Sequence, residues 1–190
     1  MTDSTPKDEQ PAGNRRGAVF FDRDQTLSVD HGYTHLVEDF AWINGAPEAL
    51  AMFARHGVDC FIVTNQGGIG RGFFTQQQMQ DFNAHLTEAA AAAGGQIRDI
   101  AWCPHHPLAI SDEMKTPCGC RKPEPGLLLA LAEKWDIDLA ASVMIGDRDS
   151  DVAAGVAAGC HGYLFDGGDL SVLARLVVER HFAGRGQEHA

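Results

Sequence analysis

The chain has 190 residues, 44% of them hydrophobic, with 15 Lys and Arg against 26 Asp and Glu, a formal net charge of −11. That length supports one sizeable core and excludes a second independent catalytic domain. The acidic balance excludes a general binder of nucleic acid or anionic membrane, which needs a positive face to displace counterions.

In chain order, residues 1–16 are polar and Pro-containing, cannot bury apolar surface, and are expected as a disordered tail. They also lack the apolar core of a secretory signal, and no run approaches the roughly 18 apolar residues that span a bilayer. The expected compartment is the cytoplasm. The folded domain is expected over 17–182, followed by a flexible tail at 183–190. Short apolar runs at 18–21, 58–64, 97–103, 142–146 and 160–165 read as strands. Stretches at 46–56, 75–93, 124–135, 149–158 and 169–181 carry apolar residues at helical spacing, with Pro47 and Pro125 where first-turn prolines are tolerated. Strict alternation of strand and helix implies right-handed crossovers and a parallel sheet covered on both faces, a three-layer Rossmann-like α/β fold. No insertion is long enough for a large cap domain. Two long segments, 27–45 and 104–123, break the rhythm; both follow strands and so gather at the carboxyl edge, where ligands bind.

The first strand runs into Asp22-Arg23-Asp24-Gln25-Thr26. Two carboxylates this close repel unless a cation lies between them; alone, the pair reads equally as a solvated turn. A second acidic strand end, Gly146-Asp147-Arg148-Asp149-Ser150-Asp151, tips the balance toward a shared hard cation such as Mg²⁺. Between them in sequence, Thr64-Asn65-Gln66-Gly67-Gly68 offers a hydroxyl and a flexible, donor-rich turn suited to an oxyanion. Arg121-Lys122 puts two cations beside the second long loop.

These four motifs, in this order, resemble those of the haloacid dehalogenase (HAD) superfamily of phosphohydrolases. The resemblance implies Mg²⁺-dependent hydrolysis of a phosphomonoester through an aspartyl-phosphate. Asp22 would be the nucleophile and Asp24 the general acid and base, while Thr64 and Lys122 would hold the phosphoryl oxygens. Mg²⁺ would be bound by Asp22, the backbone carbonyl of Asp24, and Asp147. Asp151 would support the metal's waters or orient Lys122, unless it simply faces its own helix dipole.

Of five cysteines, Cys60 and Cys160 lie in apolar strands and read as core thiols, whereas Cys103, Cys118 and Cys120 crowd near histidines. Cys103-Pro104-His105 and Cys118-Gly119-Cys120 form C-x-H-x12-C-x-C, a closed donor set for structural Zn²⁺. His106 is the alternative to His105, which the resemblance favours. The zinc loop narrows the resemblance to the branch holding heptose-bisphosphate 7-phosphatases and histidinol-phosphate phosphatases. Asp30-His31-Gly32-Tyr33 and the run from Asn65 and Gln66 through Arg71 are similar to the heptose pattern, while Gly-Asp-Arg at 146–148 is similar to the histidinol-phosphate one. Asp30 and His31 would reach sugar hydroxyls. Arg71, or else Arg121, would anchor a distal phosphate. Arg148 would touch or position the substrate. Gln25 stands where Gly is usual and is expected to narrow the mouth or alter the Asp24 carbonyl. The expected partner is a small phosphorylated sugar, with no nucleic acid, no membrane and a monomeric chain.

Overall fold

A computed structural model of the chain describes residues 16–115 and 117–184. Five strands, β1 (Val19–Phe21), β2 (Cys60–Asn65), β3 (Ile97–Cys103), β4 (Val143–Gly146) and β5 (His161–Leu164), form one sheet in the order β3-β2-β1-β4-β5, every pair parallel. The chain moves outward from β1 through β2 to β3, then crosses to β4 on the other side. The carboxyl ends of β1, β2 and β4 therefore flank the point where the winding reverses, the usual ligand crevice of such sheets.

Both faces are covered, as strands buried on two sides require. Val19 and Phe21 point into the core formed with α1 (Ala46–Arg55) and α7 (Leu170–Val177), whereas Ala18 and Phe20 point into the core under α5 (Gly126–Trp135). The period-two alternation of β1 thus feeds two cores at once. Helix α3 (Gln76–Ala92) opens with a capping box between Thr75 and Gln78, and α6 (Asp149–Ala158) directly follows the acidic end of β4.

Three local expectations change. The glycine run at 67–70 forms a one-turn helix, α2 (Gly67–Gly70), instead of an open turn. The 104–123 loop contains another single turn, α4 (Asp112–Lys115), and α5 begins two residues after the expected start because Pro125 occupies its N-cap. The expected tails fall outside the described residues, apart from Arg16, which pairs with Ile137, and residues 183 and 184. No described helix is long and apolar enough to cross a membrane.

Phe53 on α1 is fully buried, with ring centroids 5.9 Å from Phe21 and 6.3 Å from Phe182. Phe53→Ala is expected to lower the unfolding free energy by about 3–5 kcal/mol. Urea titration should show this as a lower midpoint with an unchanged slope.

Candidate active site

Asp22 follows β1, Thr64 and Asn65 end β2, and Asp147 follows β4. Lys122 arrives from the far side of the cysteine loop. Its Nζ, with the side chain 1% exposed, donates to Asp22 Oδ1 at 2.6 Å and to the Val63 carbonyl at 2.7 Å, and pairs with Asp151 Oδ1 at 2.7 Å. Three donors thus meet three acceptors. Burial works against the ammonium, but Asp22 and Asp151 hold its pKa above the ordinary lysine value. The other Asp151 oxygen accepts from the Arg148 backbone N–H at 3.0 Å. Gly146 permits this approach, because a Cβ there would overlap the Asp151 side chain.

Carboxylate oxygens of Asp22, Asp147 and Asp151 lie within 4.8 Å of one another. Burial pushes the Asp22 carboxyl up to about 7 against the pull of Lys122, and burial followed by Asp151 raises Asp147. One Asp147 oxygen is buried without a hydrogen-bond partner. Lys122, and at longer range Arg148, whose Nε lies 3.7 Å from Asp147 Oδ2, offset only part of the charge of the three carboxylates. An all-oxygen donor set, an orphaned oxygen and this charge deficit fit a hard divalent cation. The Asp24 carboxylate stands outside the trio and is engaged elsewhere.

Arg23, between the two aspartates, is buried and sends Nε and Nη2 to Asp24 Oδ1 at 2.9 and 2.8 Å. Gln66 donates to Asp24 Oδ2 and to Thr64 Oγ1, both at 2.8 Å, and accepts from Arg23 at 3.1 Å. Both of its amide hydrogens are therefore spent inside the protein. Asn65 likewise turns its side chain to the backbone of Lys122, donating to its carbonyl at 3.1 Å and accepting from its N–H at 3.0 Å.

A cavity of about 320 Å³ opens above Asp22 and Asp24, also lined by Asp30, Gly32, Tyr33, Asn65, Gln66, Arg121, Lys122 and Arg148. Thr64 is buried beneath it. Asp147 lines a separate cavity with Gln25. Of the remaining sequence-predicted contacts, His31 and Arg71 stand outside the lining. His31 is exposed, and the Arg71 guanidinium lies 4.4 Å over the Phe73 ring and bonds the Tyr33 hydroxyl. Asp30 Oδ1 accepts from the Gly32 and Thr34 N–H groups, so one of its oxygens shapes the loop. Gln25 is not among the lining residues of the cavity above Asp22. Its backbone is left-handed at φ 62°, and its side chain donates to the Asp30 carbonyl at 2.8 Å.

Sequence reasoning missed Arg23 and Asn83, which bond each other at 3.0 Å, and His106 as a lining residue. A cation wedged between two strand-end aspartates was the available signal for Arg23. His106 accepts the Leu108 N–H on Nδ1 at 3.0 Å, and burial, followed by the nearby Arg121 charge, lowers its pKa.

The cysteine loop places Cys103 Sγ 2.8 Å from Cys120 Sγ and 3.6 Å from Cys118 Sγ, with His105 Nδ1 at 3.4 Å from both Cys103 and Cys120. Ideal tetrahedral zinc would set its sulfurs about 3.8 Å apart, so modest spreading accommodates the ion. His105, not His106, completes the cluster. Arg121 Nη1 ties the loop to the cavity by donating to the His105 carbonyl at 2.8 Å. Cys60 and Cys160 are core thiols, and burial pushes Cys160 up to about 12.

Residues 119–176 match the family model described as "HAD-hyrolase-like". A D-glycero-beta-D-manno-heptose-1,7-bisphosphate 7-phosphatase of Photorhabdus laumondii is 42% identical over 74% of this chain and 75% of its own. One from Rhodopseudomonas palustris is 35% identical over 86% of this chain and 91% of its own. Among solved structures, the D,D-heptose 1.7-bisphosphate phosphatase from B. bronchiseptica, complexed with magnesium and phosphate, superposes with a TM-score of 0.76 at 26% identity, covering 86% of this chain and 98% of that one.

The Lys122 bridge carries its own test. Lys122→Met strands two buried carboxylates and is expected to destabilise the metal-free protein by about 3–5 kcal/mol in urea titration with EDTA. Adding Asp22→Asn should recover part of that loss, because the two sites share one network.

Proposed function

The chain belongs to the HAD-like hydrolases, in the family of heptose-bisphosphate 7-phosphatases, and we propose that it removes the 7-phosphate of D-glycero-β-D-manno-heptose 1,7-bisphosphate. It is a hydrolase of phosphoric monoesters. The observation that carries the substrate reading is a buried Asp22 at the base of a small polar cavity, beside Lys122 and the Asp147–Asp151 carboxylates. Such a cavity suits a compact phosphorylated sugar, and its product would feed nucleotide-activated heptose for lipopolysaccharide synthesis.

In this reading an Asp22 oxygen attacks phosphorus, and the sugar oxygen leaves with a proton from Asp24. A water molecule then attacks the aspartyl-phosphate, giving its proton back to Asp24. Lys122 holds Asp22 in place and offers its ammonium to the phosphoryl oxygens, while Thr64 lies on the same side. Mg²⁺ held by Asp22, Asp147 and the Asp24 carbonyl would neutralise the carboxylates and the developing phosphoryl charge. Asp151 orients Lys122 through their 2.7 Å pair.

Arg121 and Arg148 line the cavity and are the cations available to a second phosphate, with Arg71 held at the rim by Tyr33 and Phe73. Asp30 and Tyr33 face the sugar. Zn²⁺ on Cys103, His105, Cys118 and Cys120 fixes the loop that delivers Arg121 and Lys122, and three thiolates with one imidazole leave no coordination position for catalysis. The reading takes the enzyme to be a cytoplasmic monomer. Reduced thiols suit that compartment.

Phosphate release with Mg²⁺, compared as kcat/KM over both heptose bisphosphate anomers, fructose 1,6-bisphosphate and histidinol phosphate, tests the assignment. The β heptose substrate is expected to lead by at least tenfold; a histidinol phosphate preference overturns it. Asp22→Asn keeps the shape of the side chain and is expected to lower kcat by more than about 10³-fold, given the scale of losses on removing a nucleophile. Chelation of zinc should speed hydrogen exchange over residues 103–123, and unchanged exchange there would refute a structural role.

A further inference from the structure

We infer that Arg23 is a positioning residue that locks the Asp24 carboxylate in the orientation from which it exchanges protons with substrate. The inference rests on the proposed acid–base role of Asp24 and extends it to a residue that does not touch the reacting atoms.

Arg23 is 1% exposed, among the largest fully buried side chains described. Desolvating a guanidinium is costly unless its donors are matched, and here every nitrogen has an acceptor. Nε and Nη2 grip Asp24 Oδ1, Nη2 also reaches Gln66 Oε1 at 3.1 Å and the Thr34 carbonyl at 3.3 Å, and Nη1 reaches Asn83 Oδ1 at 3.0 Å. The guanidinium also lies 4.7 Å over the Phe82 ring. Gln66 closes the ring by holding Asp24 Oδ2 at 2.8 Å. Both carboxylate oxygens are thus anchored from within the protein, while the side chain, 22% exposed, still borders the cavity. The anchors lie on three remote segments: Asn83 and Phe82 on α3, Thr34 in the long loop after β1, and Gln66 after β2. A fixed Asp24 is therefore a product of the whole carboxyl edge.

The proton balance defines what the lock controls. In the first half-reaction the Asp24 carboxyl proton passes to the sugar oxygen as its bond to phosphorus breaks and the Asp22 oxygen–phosphorus bond forms. In the second, a water oxygen bonds phosphorus, its proton passes to Asp24, the Asp22 bond breaks, and phosphate leaves with Asp24 protonated as at the start. Misplacing a positioned group by about 1 Å can lose on the order of 10²-fold in rate. That loss falls only on steps that move a proton.

The test uses leaving groups. p-Nitrophenolate departs without a proton, whereas a sugar alkoxide needs one. Arg23→Lys keeps the charge but loses the fork. Its kcat/KM is expected to fall about 10²-fold on the heptose bisphosphate and less than about threefold on p-nitrophenyl phosphate. Its kcat on p-nitrophenyl phosphate should fall with a burst of one p-nitrophenolate per enzyme, as aspartyl-phosphate hydrolysis becomes limiting. Asn83→Ala, which removes a remote anchor, should show the same split about tenfold smaller, and it carries the test if Arg23→Lys lacks a cooperative melt. Equal losses on both substrates, or no loss on either, would overturn the inference. Asp24→Asn separates the two levels: if it spares the sugar substrate, the proposed role of Asp24 fails, whereas a split in Asp24→Asn with flat results for both other variants removes Arg23 alone.

Discussion

One buried ammonium organises the carboxyl edge of this protein. Lys122 is withdrawn from water and satisfied by the Asp22 carboxylate, the Asp151 carboxylate and the Val63 carbonyl, so the ends of β1 and β2 and the start of α6 must meet around a single nitrogen. An unpaired charge at that depth would be strongly unfavourable, and each partner's position is constrained by the others. The side-chain amide of Asn65 clamps the Lys122 backbone from both sides, which fixes where the cysteine loop returns to the sheet.

The same interaction explains how a chain with a net charge of −11 can accept an anion. Carboxylates concentrated near Asp22 are offset only in part by Lys122 and Arg148 and leave a negative excess that suits a divalent cation, while the Arg23–Asp24 pair cancels internally. The cavity is then bordered by Arg121 and Arg148, so the local field is set by a few placed groups and the overall charge matters only at long range. Arg121 reaches this position because its guanidinium bonds the carbonyl of His105, a member of the cysteine cluster. Loop order and cavity electrostatics are in this way one problem.

Positioning dominates the polar side chains around the cavity. Gln66, Asn65 and one oxygen of Asp30 look from sequence like substrate contacts, yet their hydrogen bonds are directed to Asp24 and Thr64, to Lys122, and to the loop backbone. Gln25 tolerates a left-handed backbone, which disfavours a side chain, and bonds the Asp30 carbonyl, coupling the turn after β1 to the loop that follows.

The strand and helix rhythm, the parallel sheet, the two acidic strand ends and the Cys-x-His and Cys-x-Cys pairs were legible in the sequence. Each depends on local periodicity or close spacing, as when alternate residues of 18–21 divide between two cores. Strand–helix alternation also sends the ends of β1, β2 and β4 to one edge. Tertiary structure alone decided the partners: Lys122 meets Asp22 across 100 residues, and Arg23 meets Asn83 across 60. It also decided that Arg23 is an internal clamp and that Arg71 stacks at the rim instead of lining the cavity. Those outcomes turn on which donor finds which acceptor once sheet order and loop paths bring distant segments together, and no local propensity encodes that choice.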